Sequence, residues 1–171
     1  NKTLGIIGIG TIGRAVAEKA RMLGMNLVGT DIEISEDHNI WTDLNIRCAS
    51  LDEVIQKSNI ITIHVPLTEH TKNLFGENEF EKMRKGSFII NTSRGGIIDE
   101  NALLNSLKKS HLGGAMLDVF EYEPLENPAK FSKLNNVILT PHIAGLTNQS
   151  NYRVSKLITE NILDFLKKEG A

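Results

Sequence analysis

Cysteine is almost absent from this chain. Cys48 is the single example in 171 residues, which excludes a disulfide framework and a thiolate metal cluster. Net charge is nearly absent too: 19 Lys and Arg against 21 Asp and Glu leave a formal balance of −2. Such a balance offers no electrostatic footprint for nucleic acid or an anionic membrane. No apolar run approaches the roughly 18 residues a transmembrane helix needs, and no signal peptide precedes the first apolar run. Internal repeats and low-complexity segments are also missing. These absences predict a cytoplasmic protein with no nucleic acid partner, no membrane and no metal. The chain opens on Asn1 and closes on "LKKEGA", just after a helix-like segment. That pattern predicts one domain, residues 1–171, drawn from a longer protein.

What the chain does contain is an alternation of short apolar runs and amphipathic segments. "TLGIIGI" (Thr3 to Ile9), "MNLVGTD" (Met25 to Asp31), "NIITIHV" (Asn59 to Val65), "SFIINTS", "GGAMLDVF" and "NNVILT" read as strands. Between them, Thr11 to Leu23, "LDEVIQKS" capped by Ser50, "NEFEKMRKG" ending at Gly86, and "DENALLNSLKK" capped by Asp99 read as helices. The stretch from Asp31 to about Ser50 reads as polar and irregular. A last helix, roughly Thr147 to Lys168, sets Val154, Leu157, Ile158, Ile162, Phe165 and Leu166 at helical spacing. Continuous apolar strands separated by helices predict a doubly wound α/β domain, a parallel sheet with helices on both faces. The order of the strands stays open.

Gly8-Ile9-Gly10-Thr11-Ile12-Gly13 fits G-x-G-x-x-G between the first strand and the first helix. In a Rossmann fold the first glycine permits the tight turn and the second lets a pyrophosphate approach the backbone. The third lets helix and strand pack closely. Asp31 ends the next strand, where an acid accepts hydrogen bonds from the adenosine ribose. The residues that follow, Ile32 to Asp37, contain no arginine to receive a 2′-phosphate. Two like charges about 4 Å apart, at an effective dielectric near 20, repel by roughly 4 kcal/mol. The expected cofactor is therefore NAD rather than NADP.

Hydride transfer to or from a hydroxy acid needs an acid/base and a cation for the carboxylate. Histidine suits the first role because its pKa lies near neutrality. Arginine suits the second because its planar fork pairs with carboxylates in bidentate fashion. In an open α/β sheet these groups belong at the carboxyl ends of strands. Arg94 follows "FIINTS", the "DVFEYEP" run follows "GGAML", and His142 follows "NNVILTP". Spacing alone leaves bland readings for each: a structural cation, solvated acids (Glu121 and Glu123) and a loop histidine. His38, His70 and His111 sit in polar stretches with no case for catalysis, and His64 is open between packing and cofactor contact.

The blocks "GIIGIGTIGRAVA", "HVPLTEHTKNL", "NTSRGGIIDENAL", "GGAMLDVFEYEP" and "LTPHIAG" together resemble the D-isomer-specific 2-hydroxyacid dehydrogenases, specifically their NAD-binding domain. The resemblance runs from about Leu4 to Leu166. It implies that Arg94 binds the substrate carboxylate and that Glu123 hydrogen-bonds and supports the protonated imidazole of His142. His142 itself takes the hydroxyl proton. It further implies that Asp118 fixes the nicotinamide carboxamide and that Thr11 and Ile12 meet the pyrophosphate. Val65, Pro66, Thr71, Thr92, Ser93, Ala144 and Gly145 are expected along the cofactor cleft. A separate substrate-binding domain is expected outside this chain, with a homodimer for the full-length protein and a monomer for this part. The wording "ITIHVPLT" and the Lys-rich last helix resemble phosphoglycerate dehydrogenases more than D-lactate ones, making 3-phosphoglycerate the named example of substrate. Two rival functions share the blocks: an NAD(H)-sensing corepressor, and a pure NAD-binding module without turnover.

Overall fold

The computed structural model describes residues 2–125 and 128–168, Ser132 by its backbone alone. They fall into two compact units, the first ending at Pro141 and the second beginning at His142. In the first unit, seven strands form one sheet: β1 (Thr3–Ile7), β2 (Asn26–Thr30), β3 (Arg47–Cys48), β4 (Ile60–Ile63), β5 (Phe88–Asn91), β6 (Gly114–Leu117) and β7 (Val137–Leu139). The helices are α1 (Thr11–Met22), α2 (Ile40–Asp43), α3 (Leu51–Lys57), α4 (Glu77–Lys82), α5 (Glu100–Lys108) and α6 (Ala129–Ser132). The strand order is β3-β2-β1-β4-β5-β6-β7, and every pairing is parallel. The second unit carries α7 (Asn148–Lys168).

Alternation along the strands fills two cores. Ile6 turns to a cluster with Ile9, Ala17, Ala20, Leu27 and Trp41, under α1 and α2. Ile7 turns to the other face, where Ile61, Ile63 and Ile89 meet Val54, Phe80 and Leu103 of α3, α4 and α5. Two faces that both need burial explain why these strands read as unbroken apolar runs. The expected caps are present. Ser50 Oγ accepts from the Glu53 N–H, and Asp99 Oδ1 accepts from the N–H groups of Asn101 and Ala102.

Several expected boundaries shift. The stretch after Asp31 is not wholly irregular. It holds α2, anchored by buried Trp41 whose Nε1 donates to the Ser35 carbonyl at 2.8 Å, and the two-residue edge strand β3. The fourth helix stops at Lys82 rather than Gly86, because Met83 leaves the helix to enter the core and Arg84–Ser87 forms a turn. Strands end one to three residues early where the chain leaves the ladder to build loops, as at Ile9, Asp31 and Val65. Among the described residues no helix is long and apolar enough to cross a membrane.

Candidate cofactor and substrate site

In this order the sheet reverses direction of build-up between β1 and β4, and ligands of open α/β sheets bind at the carboxyl ends of the strands flanking that point. The glycine turn sits there. Gly8 has φ of +90°, and a Cβ on it would run into the His64 carbonyl. A Cβ on Gly13 would collide with the Gly8 carbonyl oxygen, so this glycine lets α1 pack onto its own turn. Gly10 differs: a Cβ there would meet nothing within 4 Å. It is the N-cap of α1, no side chain caps that end, and no acid occupies the first turn. Uncapped N–H groups, the positive end of the helix dipole and open space over Gly10 together suit a pyrophosphate.

Asp31 is tied to this turn. Its Oδ2 accepts from the Ile9 N–H at 2.6 Å and its Oδ1 accepts from the Glu33 N–H at 2.8 Å. The carboxylate thus fixes the middle of the glycine motif while standing half-buried at the end of β2. Around it lie Glu33, Glu36 and Asp37, all exposed.

A recess of about 270 Å³ adjoins the turn, lined by Ile12, His64, Val65, Pro66, Thr92, Ser93 and Arg94. His64 is half-buried, with Nε2 2.9 Å from Thr62 Oγ1, and burial pushes its pKa down. It packs through its half-buried ring and also lines the recess wall. Thr71 is spent on its own loop: its hydroxyl donates to the Pro66 carbonyl at 2.6 Å and accepts from the Thr68 N–H at 2.7 Å. It braces the wall rather than projecting a spare donor.

The Arg94 loop is organised by a residue the sequence reading missed. Asn91, buried at the end of β5, accepts at Oδ1 from the Ser93 N–H and the Ser93 hydroxyl. Its Nδ2 donates to the Arg94 carbonyl at 2.8 Å. Arg94 Nη1 donates to the Ser93 carbonyl at 2.6 Å. Asp118, buried at the end of β6, donates its N–H to the Asn91 carbonyl and accepts from Thr140 Oγ1 at 2.5 Å. Glu123 Oε1 accepts from the Phe120 N–H at 3.0 Å. Glu100, also missed, is buried on α5 and accepts from the Glu121 N–H at 2.7 Å. Gly95 has no room for a Cβ because the Phe120 carbonyl lies against it. These contacts bring the Arg94 and Glu123 loops together. No periodicity marks a buried polar residue at a strand end, so Asn91 carried no signal beyond its place before "TSRG".

His142 opens the second unit with φ of +55°, a left-handed backbone that non-glycine residues adopt sparingly and often at functional sites. Ala144 and Gly145 follow in the loop before α7. Ser150 Oγ donates to the Gly145 carbonyl at 2.7 Å, and Thr147 and Ser150 exchange side-chain and backbone bonds that start the helix. Among the described residues no three His, Cys, Asp or Glu side chains cluster to hold a metal ion.

Comparison with known proteins agrees with this geometry. Residues 1–144 match the family model described as the NAD-binding domain of D-isomer-specific 2-hydroxyacid dehydrogenase. The chain is 43% identical over 160 residues to (S)-sulfolactate dehydrogenase of Chromohalobacter salexigens, covering 94% of this chain and 52% of that protein. It is 41% identical over 167 residues to D-3-phosphoglycerate dehydrogenase of Bacillus subtilis, covering 97% of this chain and 31% of that protein. Among solved structures, an NAD-dependent formate dehydrogenase from Staphylococcus aureus in complex with NAD superposes with a TM-score of 0.87 at 32% identity. That match covers all of this chain and 50% of the other. The chain spans about half the length, or less, of these relatives.

Proposed function

The chain belongs to the D-isomer-specific 2-hydroxyacid dehydrogenase family, whose NAD-binding domain it contains, and from this we propose that it is the cofactor-holding and proton-handling part of a dehydrogenase that interconverts a D-2-hydroxy acid and its 2-oxo acid. The observation that carries the proposal is the open cradle at Gly10 beside the uncapped start of α1, with the Arg94 loop on the same rim of the sheet. NAD, when bound, supplies the hydride acceptor.

The residues divide the remaining work. Gly8, Gly10, Thr11, Ile12 and Gly13 hold the pyrophosphate, and Asp31 accepts from the adenosine ribose. Asp118 orients the nicotinamide carboxamide, while Val65, Pro66, Thr71, Thr92, Ser93, Ala144 and Gly145 form or brace the cleft. Arg94 pairs its guanidinium with the substrate carboxylate. In the oxidation direction an imidazole nitrogen of His142 would accept the substrate hydroxyl proton. The product is the 2-oxo acid. Glu123 is assigned the role the family resemblance implies, a carboxylate that favours the imidazolium form of His142.

Relatives named for sulfolactate, glyoxylate and phosphoglycerate share this part of the chain, which supports a small 2-hydroxy or 2-oxo acid as substrate class. 3-Phosphoglycerate remains the example favoured by wording. Because the family's relatives are about twice this length, we infer that substrate selection and exclusion of water depend on sequence outside these residues. Calorimetric titration with NADH, beside a turnover assay of this chain and a full-length version, tests the reading. The expected result is NADH binding by the chain, with turnover largely confined to the full-length protein. His142→Ala in the full-length protein should keep NADH binding and lower kcat by roughly 10²–10⁴. Unchanged turnover in that variant would refute the assignment.

A further inference from the structure

The opposite rim of the sheet carries a second recess, of about 280 Å³, lined by Lys2, Asn59, Ile60, Arg84, Lys85, Gly86, Ser87 and Phe88. It lies at the amino ends of β1, β4 and β5, whose carboxyl ends build the cofactor rim. Three features of its lining agree. Its charged groups are all cations, and among the described residues no carboxylate pairs with Lys2, Arg84 or Lys85, whereas Arg47, Lys82 and Lys109 each have an acid within 4 Å. Asn59 spends its Oδ1 on the Thr3 N–H at 2.9 Å, which fixes the amide and leaves the two Nδ2 hydrogens as spare donors. Ser87 is 2% exposed and its hydroxyl has no hydrogen-bond partner among the described residues, although such groups are rarely left so in folded proteins.

We propose that this recess is an oxyanion site for a phosphate or phosphomonoester dianion, separate from the cofactor site. Every polar side chain of the lining can donate, and none is a carboxylate that would repel an anion. The backbone is shaped for it. The Arg84–Ser87 turn is closed by the Ser87 N–H to the Arg84 carbonyl at 2.9 Å, and Gly86 at φ of +79° brings the two cations and the serine onto one short loop. Ser87 is thus a buried hydroxyl of the lining that still lacks an acceptor among the described residues. Ile60 and Phe88 add an apolar floor, so a phosphomonoester with a small organic body fits better than a bare ion. The volume, about 280 Å³, falls just below the usual range for drug-sized sites, roughly 300–1,000 Å³, which suits a ligand as small as a phosphate.

The test is a titration of the isotopically labelled chain with inorganic phosphate and with glycerol phosphate, followed by amide and side-chain NMR shifts. Matched sodium chloride serves as the ionic-strength control. Saturable shifts are expected at Lys2, the Asn59 carboxamide and Arg84 to Ser87, unchanged when NADH is saturating. The Arg84→Ala/Lys85→Ala double variant alters exposed side chains only, and should bind at least tenfold more weakly while its remaining spectrum stays in place. The proposal is overturned by no saturation up to about 10 mM ligand, by an equal response to sodium chloride, by shifts that NADH abolishes, or by full affinity in the double variant. Tighter binding of glycerol phosphate than of phosphate would assign the physiological ligand to the phosphomonoester class, and the reverse order would assign it to phosphate itself.

Discussion

Replacing Asp31 separates two consequences of one carboxylate. In the native chain its two oxygens accept from Ile9 and Glu33 N–H groups at 2.6 and 2.8 Å, and Ile9 is fully buried. Asp31→Ala removes both acceptors and leaves the Ile9 N–H without one. An unsatisfied buried amide costs about 1–3 kcal/mol, so a loss near 2 kcal/mol is expected, lowering Tm by roughly 4–8 °C for a chain of this size. Asp31→Asn keeps one acceptor oxygen and should recover about half of that loss. Cofactor choice follows a different rule. It depends on charge, and the repulsion of a 2′-phosphate by Asp31, roughly 4 kcal/mol at about 4 Å, corresponds to about a thousandfold preference for NADH over NADPH. Both variants remove that charge, so both should narrow the ratio of NADH to NADPH affinity by at least tenfold, although their stabilities differ. Thermal denaturation and paired calorimetric titrations with the two cofactors measure the two effects. If the ratio stays at its native value in both variants, the acid does not select the cofactor; if Tm is unchanged in Asp31→Ala, it does not brace the turn.

The glycines of the motif should separate in the same way. Gly13→Ala places a Cβ against the Gly8 carbonyl and should unseat α1, costing more than about 2 kcal/mol and abolishing NADH binding, whereas Gly10→Ala should leave Tm within about 1 °C and weaken NADH alone. Equal losses of stability in the two variants would contradict this. Asn91→Leu removes three side-chain hydrogen bonds from a buried site and should lower stability by about 2–4 kcal/mol, read by urea denaturation, with Arg94 released from its turn. Burial depresses the His64 pKa below 6.5, so the unfolded chain binds more protons than the folded one at pH just below 6.5. Its contribution is full above pH 6.5 and declines as pH falls toward the depressed value. Tm measured from pH 7.5 to 5 should therefore fall less in His64→Gln than in the native chain, and parallel curves would rule this out.

Much of the fold is legible in the sequence because burial on both faces leaves a plain record. β1, β4, β5 and β6 are dominated by apolar residues, and Ser50 and Asp99 mark helix starts by chemistry that needs no tertiary context. β3 left no such record: it is two residues at the sheet edge, one of them an exposed arginine. α2 is one turn in a polar stretch, and Trp41 alone signals it. At the site, Gly8 and Gly13 are readable because the turn and the packing of α1 leave no room for a Cβ, and Gly10 and Asp31 by their spacing from them. Asn91 and Glu100 are not, since a polar side chain buried by its own hydrogen bonds looks, in one dimension, like any surface residue. Glu100 in particular reads as an ordinary first-turn helix acid, yet its carboxylate reaches across to the Glu121 N–H.

Those two residues also explain how this sheet holds the Arg94 and Glu123 loops in place. Adjacent parallel strands lie about 4.8 Å apart, so the ends of β5 and β6 are held at that spacing before any loop residue is placed. Asn91 extends the order of β5 through Ser93 to the Arg94 carbonyl, and the Asp118 N–H to the Asn91 carbonyl carries the ladder one rung further. Glu100 then holds the Glu121 N–H, and the Gly95 backbone abuts Phe120 where no side chain fits. Arg94 and Glu123 are in this way referred to one frame, the β5–β6 ladder, through short polar contacts rather than through long flexible side chains. Such a frame holds the loop backbones by paired polar contacts while Arg94 itself stays exposed. Each buried polar group in it has a named partner, which is the condition for keeping polar residues under an active rim at little cost in stability.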